Sequence, residues 1–406
     1  MIKLDTQNLT NIEPKNELIS SYLEKIHARK QGFYEILDDQ DNLEKIKAFT
    51  AANKHWEHIV LLGIGGSSLG PICLQQALTH LYKSPKLQVL DNIDPVMISE
   101  IEDIIDYAKT LFIVVTKSGT TPETLSQYYY FRKQAETKGL NISEHFVFVT
   151  DPKKGILREI ANEEGITAFD IPENVGGRFS VLTAVGLLPA ALLNLDIDKL
   201  MSGARSARAL FLSPDPAANL PFKLANIQYE LSKQGKIMTV MFPYAQKLIR
   251  LADWYRQLLA ESIGKKLDNK GNIVFAGLTP INALGVTDQH SQSQLYNEGP
   301  NDKFFIFLEV DDHGPELKIP VYGDGKLSFG QLLEIEKRAT EESLTKNDRP
   351  NITIKLDSVS EESLGELFLL FEGSIAFLGE FFNINAFDQP GVELSKILTK
   401  QYVAEL

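Results

Sequence analysis

The run Ile59-Val60-Leu61-Leu62-Gly63-Ile64-Gly65-Gly66-Ser67-Ser68-Leu69-Gly70-Pro71 decides the fold class of this chain. Its first four residues are apolar, which predicts a buried strand, and the glycines and serines that follow are typical of a turn before a helix. In an open α/β sheet such a turn lies at the carboxyl end of a parallel strand, where ligands bind. The stretch therefore predicts the start of a parallel sheet with a binding loop.

A second loop repeats this arrangement. The apolar run 111–115 is followed by Thr116-Lys117-Ser118-Gly119-Thr120-Thr121-Pro122-Glu123-Thr124. Hydroxyls, backbone N–H groups at a helix start and one lysine can together satisfy a phosphate monoester. Neither loop has the dinucleotide fingerprint or the triphosphate-binding motif, so the pair indicates a small phosphorylated metabolite. The alternative is that both loops are only turns.

Strand-like and helix-like segments alternate along most of the chain, which is the pattern of parallel sheets with helical crossovers. Strands are predicted at 59–62, 87–90, 111–115 and 146–149, and again at 236–242, 272–276, 304–310 and 351–356. Helices are predicted at about 181–193, 199–211, 217–234, 246–264, 328–345 and 361–381. Two α/β units of similar plan follow from this alternation.

The length of 406 residues exceeds a comfortable single core, so more than one domain is expected. We predict an N-terminal helical arm at 1–45, a first α/β domain with the phosphate loops at 46–195, a second α/β domain at 196–385, and a C-terminal turn and helix at 386–406. The arm carries apolar residues at helical spacing, namely Leu18, Tyr22 and Ile26.

Composition limits the possible partners. The formal net charge is −13, which argues against nucleic acid and anionic membranes, because phosphate backbones are held by basic surfaces. Cys73 is the only cysteine, so an intrachain disulfide framework and a thiolate metal cluster are excluded. No run approaches the roughly 20 apolar residues that span a bilayer, and the first 15 residues are polar. We expect a cytoplasmic protein.

Several side chains are candidates for chemistry. Gln257 and Glu261 lie four apart on one face of an amphipathic helix that ends at Gly264, which suits a general base with a polar neighbour. The alternative for Glu261 is a solvated carboxylate or an ion pair with Lys265. His290 follows Thr287-Asp288-Gln289 and has no metal-ligand spacing, so proton transfer is the better functional interpretation.

For two cationic residues the sequence leaves both a functional and a purely structural role open. Arg178 follows Gly176 and Gly177, a backbone that can bring a guanidinium close to a ligand, although a surface arginine at a helix start fits equally well. Lys396 follows the turn Asp388-Gln389-Pro390-Gly391 and, taken alone, would be a surface lysine.

Taken in order from about residue 59 to residue 396, these blocks resemble the glucose-6-phosphate isomerase (phosphoglucose isomerase) family. The resemblance implies two sugar-isomerase-type domains, each a doubly wound parallel sheet in an αβα sandwich. It also implies substrate-binding residues in the two loops and beyond them: Gly65, Ser67, Thr116, Lys117, Ser118, Thr121, Gln257 and Gln389.

The resemblance further implies an aldose–ketose isomerisation through ring opening and a cis-enediol, without metal or other cofactor. Glu261 would be the base that moves the proton, and Arg178 would stabilise the charged intermediate. His290 and Lys396 would open the ring, with His290 contributed by the second subunit of a homodimer. This chain departs from the family in Pro390, where tryptophan is common, and in Asp288, where glycine is common.

Other functions stay open from sequence. One is an isomerase on the same fold that also accepts mannose 6-phosphate, because selectivity at C2 depends on pocket shape. Another is a non-catalytic sugar-phosphate sensor, which would need the phosphate loops but not Arg178, Glu261, His290 and Lys396 together. An amidotransferase-linked isomerase is disfavoured because no glutaminase domain precedes the first sheet.

Overall fold

A computed structural model describes residues 2–83, 86–320 and 325–405. In chain order its strands are β1 (Lys3–Asp5), β2 (His58–Leu62), β3 (Leu87–Leu90), β4 (Thr110–Thr116), β5 (Phe146–Thr150), β6 (Ala168–Asp170), β7 (Met238–Pro243), β8 (Lys265–Leu267), β9 (Ile273–Ala276), β10 (Thr279–Asn282), β11 (Lys303–Asp312) and β12 (Asn351–Ser358).

The α-helices of the described residues lie between and around these strands. They are α1 (Ile19–Ala28), α2 (Gln40–Ala52), α3 (Leu69–Leu78), α4 (Pro95–Ile104), α5 (Pro122–Thr137), α6 (Ile142–His145), α7 (Ile156–Glu164), α8 (Ala184–Leu192), α9 (Ile197–Phe211), α10 (Leu220–Lys233), α11 (Ile249–Ile263), α12 (Ser293–Glu298), α13 (Phe329–Lys346), α14 (Glu361–Phe381) and α15 (Glu393–Ala404).

The first sheet has five parallel strands in the order β3-β2-β4-β5-β6. Both of its faces are covered, as is usual for parallel sheets. Ile59 and Leu61 of β2 pack on one side with α3 and α8, whereas Val60 and Leu62 pack on the other side with α5 and α7. The continuous apolar run of β2 is therefore explained by burial on both faces.

The second sheet has the order β1-β12-β11-β7-β10. Strands β12, β11, β7 and β10 are parallel, and β1 pairs with β12 in the antiparallel sense. Ile306 and Leu308 of β11 face α11 and α14, while Phe305 and Phe307 face α12 and α13. The predicted class, α/β with two doubly wound parallel sheets between helical layers, is confirmed.

One predicted strand lies outside the two five-stranded sheets. The segment predicted at 272–276 forms β9, but β9 pairs with β8 in a two-stranded antiparallel hairpin, and the short β10 takes the edge position beside β7. Asp268 closes the hairpin by accepting hydrogen bonds from the backbone N–H groups of Lys270 and Asn272, and Gly271 has a φ of +83°. The turn between the two strands therefore directs β9 to pair with β8, although the alternation of strands and helices predicts a place for it in the parallel sheet.

Helices α9 and α14 cross in close contact. A Cβ atom on Gly203 would lie 1.9 Å from the carbonyl oxygen of Glu362, and one on Gly365 would lie 1.9 Å from that of Leu200. Both positions need glycine because backbone approaches backbone there. This crossing lies in a cluster of buried apolar side chains that joins the inner faces of the two sheets.

The N-terminal segment packs on the second sheet, and the C-terminal segment contributes lining residues to the cleft described below. The segment 1–45 contains α1, in which Tyr22 and Ile26 are buried, and also β1, which extends the second sheet. The segment 386–406 contains a 3₁₀ turn at Pro390–Val392 and then α15. The domain boundaries at 45, 195 and 385 stay predictions. Within the described residues, no helix combines the length and apolar character needed to cross a bilayer.

Candidate active site

The glycine loop after β2 brings three segments together. Gly65 has a φ of +59°, and a Cβ atom there would lie 2.9 Å from Nε2 of Gln257 on α11. A Cβ atom on Gly66 would lie 2.3 Å from the carbonyl oxygen of Gly177. Because neither position tolerates a side chain, the loop can touch both α11 and the turn that carries Arg178.

Three hydroxyls converge where β4 ends, near the N-terminus of α5. Oγ1 of Thr116 lies 2.8 Å from Oγ1 of Thr121, and Oγ of Ser118 lies 3.4 Å from each of them. The helix start adds partly positive backbone N–H groups. The arrangement suits a phosphate group, which accepts hydrogen bonds from several donors at once.

Lys117, predicted to bind phosphate, directs its ammonium group to the backbone. Its Nζ donates to the carbonyl oxygens of Glu173 at 2.8 Å and Val175 at 2.7 Å. Burial lowers the pKa of Lys117. The side chain therefore ties the hydroxyl loop to the segment that precedes the turn of Arg178.

Arg178 lies in a 3₁₀ turn, Gly177–Phe179, and only 4% of it is exposed. Its Nε donates to Oγ of Ser262 at 2.7 Å, its Nη1 donates to Oε1 of Gln389 at 2.9 Å, and its Nη2 donates to the carbonyl oxygens of Ala386 and Asp388. Burial lowers its pKa to about 10. A surface arginine is therefore excluded.

The carboxylate of Glu261 lies between an amide and this guanidinium. Gln257 Nε2 donates to Oε1 of Glu261 at 3.2 Å, as their spacing on α11 predicts. Nη1 of Arg178 lies 3.8 Å from Oε2 of Glu261. Because 31% of the Glu261 side chain is exposed, the carboxylate can reach a ligand in the cleft.

These groups line one cleft of about 540 Å³. Of the predicted site residues, it brings together Gly65, Ser67, Thr116, Lys117, Ser118, Thr121, Arg178, Gln257, Glu261, Gln389 and Lys396. Lys396 is contributed by α15, where its Nζ pairs with Oε1 of Glu393 at 2.8 Å. The hydroxyl cluster and the carboxylate therefore face a shared space large enough for a sugar phosphate.

His290 is the predicted site residue that does not line this cleft. It ends a 3₁₀ turn, Thr287–His290, after β10 of the second sheet, and its side chain is exposed. The preceding Gln289 is held on both sides, since it accepts from Tyr244 Oη at 3.0 Å and donates to Oε2 of Glu336 at 3.0 Å. The turn thus presents His290 outward.

Comparison with known protein families assigns the chain that forms this cleft to one of them. Residues 23–309 and 330–406 match the model of the family described as phosphoglucose isomerase. The chain belongs to the phosphoglucose isomerase family. The resemblance predicted from the sequence blocks is confirmed.

Alignments with individual relatives cover nearly all of this member of the phosphoglucose isomerase family. A glucose-6-phosphate isomerase of Carboxydothermus hydrogenoformans is 43% identical, over 96% of this chain and 89% of the relative. The crystal structure of a hypothetical protein of Thermus thermophilus is 36% identical, covers 100% of both chains and has a TM-score of 0.92. A glucose-6-phosphate isomerase structure from Chlamydia trachomatis is 25% identical, covers 98% of this chain and 76% of that one, with a TM-score of 0.79.

Sequence reasoning missed some residues of this phosphoglucose isomerase cleft. Asp151 and Lys154 line it just after β5, and the rule that ligands bind where parallel strands end could have found them. Lys265, considered above only as an ion-pair partner of Glu261, instead donates to the carbonyl oxygen of Glu261 at 2.6 Å. Among the residues described, no cluster of three or more His, Cys, Asp or Glu side chains could hold a metal ion.

Proposed function

We propose that this chain is a glucose-6-phosphate isomerase that interconverts glucose 6-phosphate and fructose 6-phosphate in glycolysis and gluconeogenesis. The observation that carries the proposal is a single cleft in which a hydroxyl cluster faces a carboxylate held by an amide and a buried guanidinium. Membership of the family supports the same activity.

The phosphate end of the substrate would lie against the two loops. The hydroxyls of Ser67, Thr116, Ser118 and Thr121 and the N–H groups at the start of α5 would donate to the phosphate oxygens. Gly65 allows the substrate and Gln257 to approach the backbone. Because the phosphate is the same in substrate and transition state, these contacts would contribute to binding more than to turnover.

The proton transfer would be carried out by Glu261. Its carboxylate would take the proton from one carbon of the C1–C2 pair and return it to the other, through a cis-enediol or enediolate. Arg178 lies 3.8 Å from that carboxylate and carries a charge that would stabilise the negative oxygen of the intermediate. Gln257 and Gln389 would hold the base and the guanidinium in place.

Ring opening needs an acid and a base at the ring oxygen and the first hydroxyl. Lys396 lines the cleft and would act there. His290 is exposed away from its own cleft, so it would act in the cleft of a second copy in a homodimer. We propose no metal or other cofactor, because proton transfers by these side chains balance the reaction. We also propose a cytoplasmic location.

The test is conversion of fructose 6-phosphate to glucose 6-phosphate by the purified protein in chelator, coupled to glucose-6-phosphate dehydrogenase. We expect turnover by the parent protein and a loss of at least about a hundredfold in Glu261→Gln, the usual scale for removing a positioned base. Binding of the substrate should be retained by that variant.

Glu163→Gln, an exposed glutamate on α7, is the control and should match the parent protein. No turnover by folded protein that binds sugar phosphate would favour a sensor instead. Near-normal turnover by Glu261→Gln would remove Glu261 from its proposed role.

A further inference from the structure

A buried lysine lies directly behind the proposed catalytic base. Lys265 is the first residue of β8 and is 6% exposed. Its Nζ donates to the carbonyl oxygens of Glu261 at 2.6 Å and Ser262 at 3.0 Å, both in the last turn of α11. The ammonium group therefore holds the backbone of the residue whose side chain faces the cleft.

The same helix end is held by Arg178 from another direction. Arg178 Nε donates to Oγ of Ser262, and its Nη2 donates to the carbonyl oxygen of Asp388. Nζ of Lys265 lies 3.7 Å from Oδ1 of Asp388. The two cations thus share the end of α11 and the segment that carries Gln389.

Placing two cations together in a buried region is unfavourable unless negative charge lies nearby. Burial, followed by the charge of Arg178, lowers the pKa of Lys265 to about 8. Helix termination alone does not need a charge, because the carbonyl oxygens of Glu261 and Ser262, which the bond from the Gly264 N–H to Ala260 leaves without a helix partner, can accept from water or a neutral donor. The charge of Lys265 therefore calls for a reason beyond helix termination.

We propose that Lys265 is a positioning residue for the isomerisation, holding the backbone of Glu261 and, together with Arg178, supplying the positive charge behind the cleft that stabilises the negative intermediate. This inference rests on the proposed function of the cleft. Lys265 does not line the cleft, so it acts through Glu261 and Arg178 and not by contact with substrate.

A pH dependence follows from the groups that face Lys265, which are Arg178, Glu261 and Asp388. Above about pH 8 Lys265 loses its proton, so activity should decline. The same loss of a proton stabilises the folded protein, because the unfolded lysine keeps its proton up to about pH 10.5. The alkaline loss of activity is thus expected without unfolding.

The experiment compares Lys265→Arg and Lys265→Met with the parent protein, using kcat and KM measured from about pH 6 to about pH 10. We expect Lys265→Met to lose about tenfold or more in kcat with little change in KM, since the lost charge acts in the transition state. Lys265→Arg should recover most of kcat and move the alkaline decline to higher pH, because arginine stays protonated.

Lys266→Met is the matched control, because Lys266 is the exposed neighbour on the same strand. It should keep the kcat and the pH profile of the parent protein. An alkaline decline at the same pH in Lys265→Arg as in the parent would overturn the inference, and so would an unchanged kcat in folded Lys265→Met. An inactive parent protein would instead overturn the proposed function, and the inference with it.

Discussion

The ammonium group of Lys117 binds two backbone carbonyl oxygens that lie 56 and 58 residues further along the chain. Its bonds to the carbonyl oxygens of Glu173 and Val175 fix the segment from which Arg178 projects. The loop position of Lys117 follows from sequence, but the direction of a long flexible side chain depends on acceptors that only the folded chain brings near.

We expect Lys117→Ala to affect more than phosphate binding. Losing two hydrogen bonds from a charged donor should lower the free energy of unfolding by roughly 1–3 kcal/mol, and a looser Arg178 turn should lower kcat as well as raise KM. Urea unfolding and steady-state kinetics would measure both effects. Lys153→Ala removes an exposed lysine that pairs with Glu173 at 3.5 Å, and serves as the control. A change in KM alone would identify Lys117 as a phosphate ligand only.

Glu372 presents the opposite case, a titratable group with no role in the proposed reaction. It is fully buried on α14, and neither of its carboxyl oxygens has a hydrogen-bond partner among the described residues. Burial raises its pKa well above the ordinary value of 4.5. The folded protein therefore keeps a proton that the unfolded chain releases above about pH 4.5, so this group makes the protein less stable as pH rises.

We expect Glu372→Gln to be more stable than the parent protein at neutral pH, with a difference that grows between about pH 5 and pH 8. One proton limits the slope to about 1.4 kcal/mol per pH unit. Urea unfolding at several pH values would measure it, with Glu163→Gln as the exposed control. A difference that stays constant across this range would show that Glu372 is ionised in the folded state.

At the scale of elements, the sequence predicts best the segments in which apolar residues form a continuous run or recur at regular spacing. The segments predicted as helices at 199–211 and 361–381 correspond to α9 and α14, and the four strands predicted before residue 150 correspond to β2 to β5. The sequence does not predict β6 or β10, because the three residues of β6 are too few to show a period and β10 contains proline and asparagine, which are depleted in strands. The sequence also does not predict that β9 pairs with β8, because this pairing depends on the turn between the strands and not on the residues of β9.

The crossing of α9 and α14 provides a prediction at this scale. Gly365→Ala would place a methyl group 1.9 Å from the carbonyl oxygen of Leu200, so the helices would have to separate. We expect a loss of roughly 1–3 kcal/mol in the free energy of unfolding, as for other overpacked cores. Ser202→Ala, an exposed position on α9, should cause little change in the same urea experiment. Equal stability of the two variants would show that the crossing relaxes easily.

At the scale of the whole molecule, the cleft draws on distant parts of the chain. Glu261 is held by α11, Arg178 lies 211 residues before its partner Gln389, and Lys396 comes from the last helix. Sequence blocks in a family's order predict such an assembly, although no single block does. The division into domains is less evident, because one apolar cluster continues from the first sheet to the second.

Mixing two inactive variants tests the proposed sharing of His290 between copies. If each site takes Glu261 from one chain and His290 from the other, a mixed dimer of Glu261→Gln and His290→Ala has one intact site. After subunit exchange, an equal mixture should recover roughly a quarter of parental activity, because half of the dimers are mixed and each has one working site. Activity in the coupled assay should rise with exchange time. No recovery, despite proven exchange, would place His290 in its own chain's cleft or outside catalysis.

The dependence of Arg178 on Ala386, Asp388 and Gln389 has a consequence for synthesis on the ribosome. A nascent chain that has emerged as far as Phe381 already contains every described strand of both sheets. Arg178 would then keep Ser262 as an acceptor but lack those at Ala386, Asp388 and Gln389, and Lys396 would still be inside the ribosome. Catalytic competence therefore arrives last, after the scaffold is complete, and we expect a product truncated after Phe381 to fold and yet be inert.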